Sequence, residues 1–357
     1  MRDIKLLNLQ DIKEIVNRLN EPDFRAKQIY KWLWKKNIAD FSQMTDLPKQ
    51  LREKLAEQFF INKIKIHSTE KSKDGTIKYA FKLYDGLLIE GVLIPDGKRV
   101  TACISTQVGC PLGCKFCATG AMGFKRNLSF GEIYDQAFIL NEQSISIFNR
   151  PLTNIVVMGM GEPLLNMENT LKAIALITSN HGMGLSPQRI TLSTVGIVKK
   201  LKQLADLKPK FNLAISLHTA INKKRSTIMP INITNPLDEL IDALKYYYKR
   251  TQKRITIEYL LIDGITDTIA DAKALAAFCK NFPVKINLIE YNPNDFVDFR
   301  KSSVENTKRF YNFLKSKNLV VTIRKSRGQD INAACGQLIK KQSKIKIKPK
   351  KLNFNTK

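Results

Sequence analysis

Long apolar runs are missing from this chain of 357 residues, and that excludes the simplest membrane reading. No stretch approaches the roughly 20 residues of a bilayer span. Residues 1–10 also lack the long apolar core of a signal peptide. The expectation is a cytoplasmic protein, where thiols stay reduced and clustered cysteines mean metal or catalysis before disulfides. Histidine is scarce, with three in the whole chain, and His67 and His181 have no partner at ligand spacing. Acidic residues are the other shortage. Against 59 Lys and Arg stand 32 Asp and Glu, leaving a net charge of +27, and no acidic residue follows Asp330. An excess of this size favours a polyanionic partner, nucleic acid first. Lys340, Lys341, Lys344, Lys346, Lys348, Lys350 and Lys351 concentrate it in a tail suited to sequence-blind phosphate contact.

The apolar fraction of 43% is that of an ordinary globular protein, long enough for one large catalytic domain and a smaller module. Residues 1–95 read as the module. Helical patterns cover Leu9–Leu19, Asp23–Lys35 and Pro48–Phe59, followed by a hairpin turning at Tyr84-Asp85-Gly86. Arg25, Lys27, Lys31, Lys35 and Lys36 lie among Phe24, Tyr30, Trp32 and Trp34. That interleaving suits either RNA contact through phosphates and stacking, or a helix with an aromatic core face and a solvated basic one.

From about Val100 onward, β-rich runs alternate with stretches long enough for helices. Strands are expected at Val100–Ser105, Asn154–Met158, Arg189–Ser193, Asn212–Leu217, Arg254–Leu261 and Val284–Ile289. Helices are expected between them, the first opened by a Ser129/Glu132 capping box. Six βα repeats point to an α/β fold with a partial (βα)6 barrel over residues 96–300, its chemistry in the loops after the strands. A helix and strand over 301–338 lead to Cys335, and 339–357 is the basic tail.

Three of the six cysteines fall within eight residues, Cys110-Pro-Leu-Gly-Cys114-Lys-Phe-Cys117. A loop of that length can wrap three thiolates around one face of an iron–sulfur cube. A [4Fe–4S] cluster normally takes four cysteines, and no fourth lies nearby, so one iron would keep an open position for chemistry. A zinc site completed by Cys103 or a histidine is the alternative, although the paired C-x2-C knuckles of common zinc modules are absent. Met158-Gly-Met-Gly161-Glu162-Pro163 follows the second expected barrel strand. Its glycines let backbone approach a ligand closely, and Glu162 can accept a hydrogen bond from an ammonium group.

Together these motifs resemble the radical S-adenosylmethionine (SAM) superfamily, whose signatures are Cys-x3-Cys-x-aromatic-Cys and Gly-Gly-Glu-Pro. Arg324-Lys-Ser-Arg-Gly328-Gln-Asp330-Ile-Asn-Ala-Ala334-Cys335-Gly336-Gln-Leu338 is similar to the C-terminal cysteine motif of the RNA adenine methyltransferases of the RlmN/Cfr family. Phe24-Arg25-Ala-Lys-Gln-Ile29, Ser216-Leu217-His218 and Met229-Pro-Ile-Asn232 follow the same family, so the resemblance runs from about residue 20 to 338. Gly161-Glu-Pro163-Leu-Leu-Asn166 and Leu88-Ile-Glu90-Gly-Val-Leu-Ile-Pro95 favour its RlmN branch.

The resemblance implies methylation of C2 of adenine 2503 in 23S rRNA, and of C2 of adenine 37 in tRNA for some members. Cys335 would take a methyl group from a first SAM and become S-methylcysteine. A second SAM, bound at the cluster held by Cys110, Cys114 and Cys117, would be cleaved to the radical that activates that methyl. Cys103 would resolve the protein–RNA adduct through a transient disulfide with Cys335, and Glu90 would be a proton acceptor. Gly161, Glu162, Ser193, Ser216, Leu217, His218 and Asn292 would contact SAM. The implied partners are unassembled or partly assembled 23S rRNA, tRNA, and a reductant such as flavodoxin or ferredoxin, with the protein acting as a monomer. Methylation at C8 of the same rRNA adenine, a radical SAM enzyme acting on a peptide, and a metal-stabilised RNA-binding protein are the alternatives. Cys279, on an apolar helix outside every motif, is expected in the core, and Arg225 is expected either on phosphate or on a solvated loop.

Overall fold

Alternating β-branched runs and amphipathic helices leave few arrangements: parallel strands side by side, each helix crossing back over the sheet. The computed structural model describes residues 1–294 and 296–338. The lysine tail expected at 339–357 lies outside the described residues.

The chain opens with β1 (Arg2–Asp3), helices α1 (Leu9–Arg18), α2 (Phe24–Trp34) and α3 (Lys49–Gln58), and β2 (Phe59–Phe60), which pairs parallel with β1. Next comes an antiparallel meander of β3 (Lys65–Lys71), β4 (Ile77–Lys82), β5 (Leu88–Asp96) and β6 (Arg99–Cys103). A short hairpin, β7 (Gln107–Gly109) and β8 (Phe124–Asn127), encloses the single turn α4 (Ala118–Ala121). The repeating part then runs α5 (Phe130–Phe148), β9 (Asn154–Val157), α6 (Met167–Thr178), β10 (Ile190–Thr194), α7 (Val198–Asp206) and β11 (Asn212–Ser216). It continues through α8 (Asn222–Ile228), α9 (Leu237–Thr251), β12 (Ile255–Leu261), α10 (Ile269–Cys279), β13 (Val284–Glu290), α11 (Val304–Ser316) and β14 (Val321–Arg324).

Ten strands form one sheet in the order β14-β13-β12-β11-β10-β9-β6-β5-β4-β3. β6 and β9 to β14 are parallel, so the expected βα units are present with β14 as a further parallel strand. Side chains from these seven strands line one cavity, which makes the curled sheet an incomplete barrel. The hairpin expected in the N-terminal module is hydrogen-bonded into this wall, from Val92 opposite Cys103 to Asp96 opposite Arg99. β3 left no sequence signal because it is an edge strand whose residues are almost all exposed, so it carries no apolar alternation.

Local signals explain the helix ends. The Ser129/Glu132 box caps α5 as expected, and Glu132 also takes both Arg126 guanidinium nitrogens at 2.9 Å. Cys279 is buried in the core, also as expected. The aromatics of α2 mostly serve packing. Trp34 is fully buried, and Trp32 is packed against the core with its indole nitrogen donating to Asp46, which leaves Phe24 as the exposed ring beside Arg25.

One ion pair ties the N-terminal helices to the barrel. Lys5 Nζ meets Asp135 Oδ1 at 2.5 Å with both side chains out of water, and the Lys5 ammonium also lies over the Trp34 ring. Asp135 Oδ2 accepts from the Ile64 amide at 3.3 Å. Removing one partner strands the other charge in the core. Lys5→Met should therefore cost about 3–5 kcal/mol of unfolding free energy. The double change Lys5→Met with Asp135→Leu should recover most of that loss, and urea denaturation of the three proteins measures both effects.

Candidate active site

Parallel strands present their carboxyl ends to one mouth, and a cavity of about 660 Å³ lies there. Cys103 ends β6, Gly161 and Glu162 follow β9, Ser193 lies on β10, Ser216 ends β11 and His218 follows it; all line the cavity. Cys110, Cys114, Cys117 and Cys335 join them from outside the barrel strands.

The three-cysteine loop hangs from the β7–β8 hairpin. Gly109 has φ of +77° and passes so close to Gly123 that a Cβ would sit 1.8 Å from its carbonyl oxygen. That oxygen accepts the Cys110 amide at 3.0 Å, and the Cys117 amide closes a turn onto the Cys114 carbonyl at 3.1 Å. Burial pushes the Cys110 thiol up to about 12 and raises Cys114 and Cys117 as well, with the neighbouring thiols adding to the effect. Thiolates here need a cation to offset burial, as bound iron would. Among the described residues no group of three His, Cys, Asp or Glu side chains forms a site for a metal ion. A single zinc would draw its sulfurs to about 2.3 Å from one point, whereas a cluster binds each thiolate at its own iron. The donor set, three cysteines on one short loop facing the cavity, fits a [4Fe–4S] group.

Beside the loop lies a row of polar groups. Gly161, at φ of +100°, leaves no room for a Cβ, which would fall 2.5 Å from Gln107 Cβ. Glu162 is buried, and burial raises its carboxyl while hydrogen bonds oppose the rise. Oε1 accepts from Thr194 Oγ1 at 2.6 Å and Leu164 N at 3.0 Å, and Oε2 accepts from Val195 N at 3.0 Å. Ser193 and Ser216 face each other with their hydroxyls 3.2 Å apart. His218 packs edge-on to Phe116, and burial with the Arg225 charge depresses its imidazole to about 3. Its Nδ1 is buried without a hydrogen-bond partner and can bond a ligand's polar group. Leu217 is core, so only its backbone is available to a ligand; its carbonyl already accepts from Arg225 Nε at 3.2 Å.

Arg225 is neither on phosphate nor on a solvated loop. It is fully buried and bridges Leu217, Val195 and Asn232. Its position after Lys223-Lys224 hid that role, because a helix turn points the third basic residue inward.

The segment carrying Cys335 closes over the mouth. The Ala118 amide donates to the Gly336 carbonyl at 2.7 Å, and Thr119 Oγ1 donates to the Leu338 carbonyl at 2.7 Å. Asn292 Nδ2 donates to the Cys335 carbonyl at 3.3 Å, and its Oδ1 accepts from Gln329 at 2.8 Å, so Asn292 here holds the arm. Arg324 lies within electrostatic reach of Cys335, Cys103 and Glu258. Burial pushes the Cys103 thiol to about 12. Glu90 does not line the cavity. It is buried in β5 with Lys78 Nζ 3.8 Å away, and Lys78 in turn donates to the Ile331 carbonyl at 2.6 Å.

Two parts of the site had no motif to announce them. The β3–β4 turn grips the arm: Ser72 Oγ meets Asp330 Oδ1 at 2.6 Å, Lys73 N meets Asp330 Oδ2 at 3.1 Å, and Asp74 Oδ2 accepts from Gly328 N at 2.9 Å. Inside the barrel, Glu258 and Asn287 are bonded at 2.9 Å. The only sign of the gripping turn was an Asp-Gly pair at 74–75. Glu258 and Asn287 read in the sequence as polar interruptions of apolar strands.

Gly109→Ala should leave the protein folded by circular dichroism yet unable to retain iron after anaerobic reconstitution, as iron per chain will show. Asp74→Ala should loosen the arm, so that alkylation of Cys335 by iodoacetamide, followed by mass spectrometry, runs several-fold faster than in the unaltered protein.

Comparison with known proteins matches these features. Residues 3–61 match the model of the ribosomal RNA large subunit methyltransferase N-terminal domain, and residues 104–276 that of the radical SAM superfamily. The probable dual-specificity RNA methyltransferase RlmN of Cytophaga hutchinsonii is 51% identical over 96% of this chain and 93% of that protein. The dual-specificity RNA methyltransferase RlmN of Desulfotalea psychrophila is 44% identical over 94% of each. A radical SAM methyltransferase from Sphaerobacter thermophilus superposes with a TM-score of 0.89 at 40% identity, over 95% of this chain and 99% of that one. Matches that span both the helical module and the barrel, at identities this high, set aside the non-enzymatic reading. The chain belongs to the RlmN family of radical SAM RNA methyltransferases.

Proposed function

We propose that this enzyme methylates C2 of adenine 2503 in 23S rRNA and C2 of adenine 37 in tRNA, using two SAM molecules and an S-methylcysteine at Cys335. The observation that carries the reading is the meeting of Cys335 and Cys103 with Cys110, Cys114 and Cys117 in one cavity. An amidine carbon such as C2 is not a nucleophile, so direct methyl transfer from SAM is closed to it and a protein-borne carrier is needed. A [4Fe–4S] cluster on Cys110, Cys114 and Cys117 would supply the electron that cleaves SAM and so activates the carrier's methyl group. Glu162, with three hydrogen bonds already fixing its carboxylate, is poised to receive the SAM ammonium at Oε2. Ser193, Ser216 and the His218 Nδ1 face the remaining polar groups of that ligand, with the Leu217 backbone next to them, and Asn292 would reach it from beside the Cys335 arm.

Cys335 takes the first methyl group, losing its proton as it does so, with the Arg324 guanidinium close by. After the methylene carbon has bonded to C2, the adduct gives up one electron, which the cluster would take back, and its C2 proton. Attack of the Cys103 thiolate on the Cys335 sulfur then breaks the carbon–sulfur bond and leaves a disulfide. The bonding pair goes to the methylene carbon, which takes a proton to become methyl. External thiols must then reduce it. Glu90 is the proton acceptor of this scheme. A flavodoxin or ferredoxin feeds the cluster, and the protein acts as a monomer. The target base must leave its stack to reach Cys335, so the RNA is presented single-stranded or unfolded.

The test is anaerobic reconstitution with SAM, reductant and unfolded 23S rRNA, then digestion and mass spectrometry of the nucleosides. The expected product is 2-methyladenosine, absent with Cys335→Ala. Cys103→Ala should instead trap RNA covalently on the protein, visible as a shifted band on a denaturing gel. A yield of 8-methyladenosine would sink the C2 assignment.

A further inference from the structure

Glu258 has no part in the scheme above, yet it is one of the least solvated carboxylates in the molecule, 4% exposed and halfway along β12. Its Oε1 accepts from Asn287 Nδ2 at 2.9 Å, across the register pair that joins β12 to β13. Its Oε2 is buried and has no hydrogen-bond partner, and both residues line the cavity. A carboxyl oxygen left in this way is a standing acceptor, whether or not the group carries a proton.

Its neighbours say which half of the cavity it serves. Glu162 is the carboxylate within electrostatic reach of Cys110 and Cys114. Glu258 instead shares Arg324 with Cys335, the proposed methyl carrier, and Cys103, the thiol that releases it. Glu258 is also the register partner of Ser216, so a ligand bonded to it lies beside the Ser216 hydroxyl as well as near the methyl carrier.

Given adenine C2 methylation as the reaction, on which this inference rests, we propose that Glu258, held by Asn287, receives the 6-amino group of the target base. The adenine edge presents N6–H as donor, N1 as acceptor and then C2 in sequence. An edge that donates to Oε2 and takes the second Asn287 N–H at N1 leaves C2 next in line. Guanine would set its O6 lone pairs against the carboxylate and be refused. The pair thus selects adenine and sets which carbon is offered.

The measurement compares kcat/KM, for the reconstituted holoenzyme, on one RNA fragment carrying either adenosine or purine riboside at the target, the latter lacking only the amino group. The unaltered enzyme should favour adenosine by about 100-fold or more, as sites built to bond a substrate N–H do. Glu258→Ala should bring that ratio to within about threefold, and Glu258→Gln, which keeps one acceptor oxygen, should fall between. A ratio in Glu258→Ala equal to that of the unaltered enzyme, even at reduced rate, would mean that the carboxylate only balances Arg324. If Glu258→Ala does not fold, the unaltered enzyme still decides, because equal use of both RNAs overturns the assignment. Absence of any methylated adenine on the unsubstituted RNA would defeat the functional reading first and this one with it.

Discussion

The hydrogen bond from Thr119 to the Leu338 carbonyl joins residues 219 apart in sequence, and the active site exists because of such closures. Cys335 lies on an irregular arm with no strand or helix to place its thiol, apart from the short turn before it. Its position is set by what grips it: the cysteine loop at Ala118 and Thr119, Asn292 after β13, the β3–β4 turn through Ser72 and Asp74, and Lys78 of β4. Gly328 permits the grip, since a Cβ there would fall 2.8 Å from Ala333 and 2.9 Å from Thr76. The antiparallel strands β3 to β5 thus do two things. They lengthen the barrel wall, and they carry the turn that fastens the arm across it.

Low polarizability around the thiols is the second constraint. Every cysteine of the motif loop and Cys103 is held toward the neutral thiol by burial, which suits storage but not chemistry. Each needs a cationic neighbour to act as a ligand or nucleophile. Iron would do this for the loop, whereas at Cys103 the Arg324 charge opposes burial without overcoming it. Protection from solvent and readiness to react are therefore separated in space, and a partner charge switches one to the other.

Most strands, the helices and the cluster loop were legible in the sequence because each rests on local chemistry. Period-2 apolar runs, the Ser129/Glu132 box and the cysteine spacing need no knowledge of distant residues. The edge strand β3, the Arg225 bridge and the Ser72–Asp330 contact were not, because their meaning comes from partners far along the chain. Trp34 shows the same limit from the other side. Among lysines it suited stacking on RNA and the core equally, and only the packing of Lys5, Phe130 and Tyr134 around it assigns it to the core. Asn292 also bonds the Cys335 carbonyl, a contact with the arm that its motif did not announce.

Two buried carboxylates in one lumen would ordinarily repel or protonate, yet Glu162 and Glu258 are kept apart by their surroundings. Glu162 is held by a hydroxyl and two backbone amides of the loops after β9 and β10, a rigid cradle that fixes it without a counter-charge. Glu258 has one amide bond and leans on the more distant cations Arg324 and Lys285. A cradle of fixed dipoles suits a ligand that returns to the same pose each turnover, as SAM must. A carboxylate with one open oxygen suits a group delivered from outside and withdrawn after reaction. Under the proposed function, the lumen's polarity follows the order of the chemistry, with the cluster side preorganised and the carrier side left open to the incoming base.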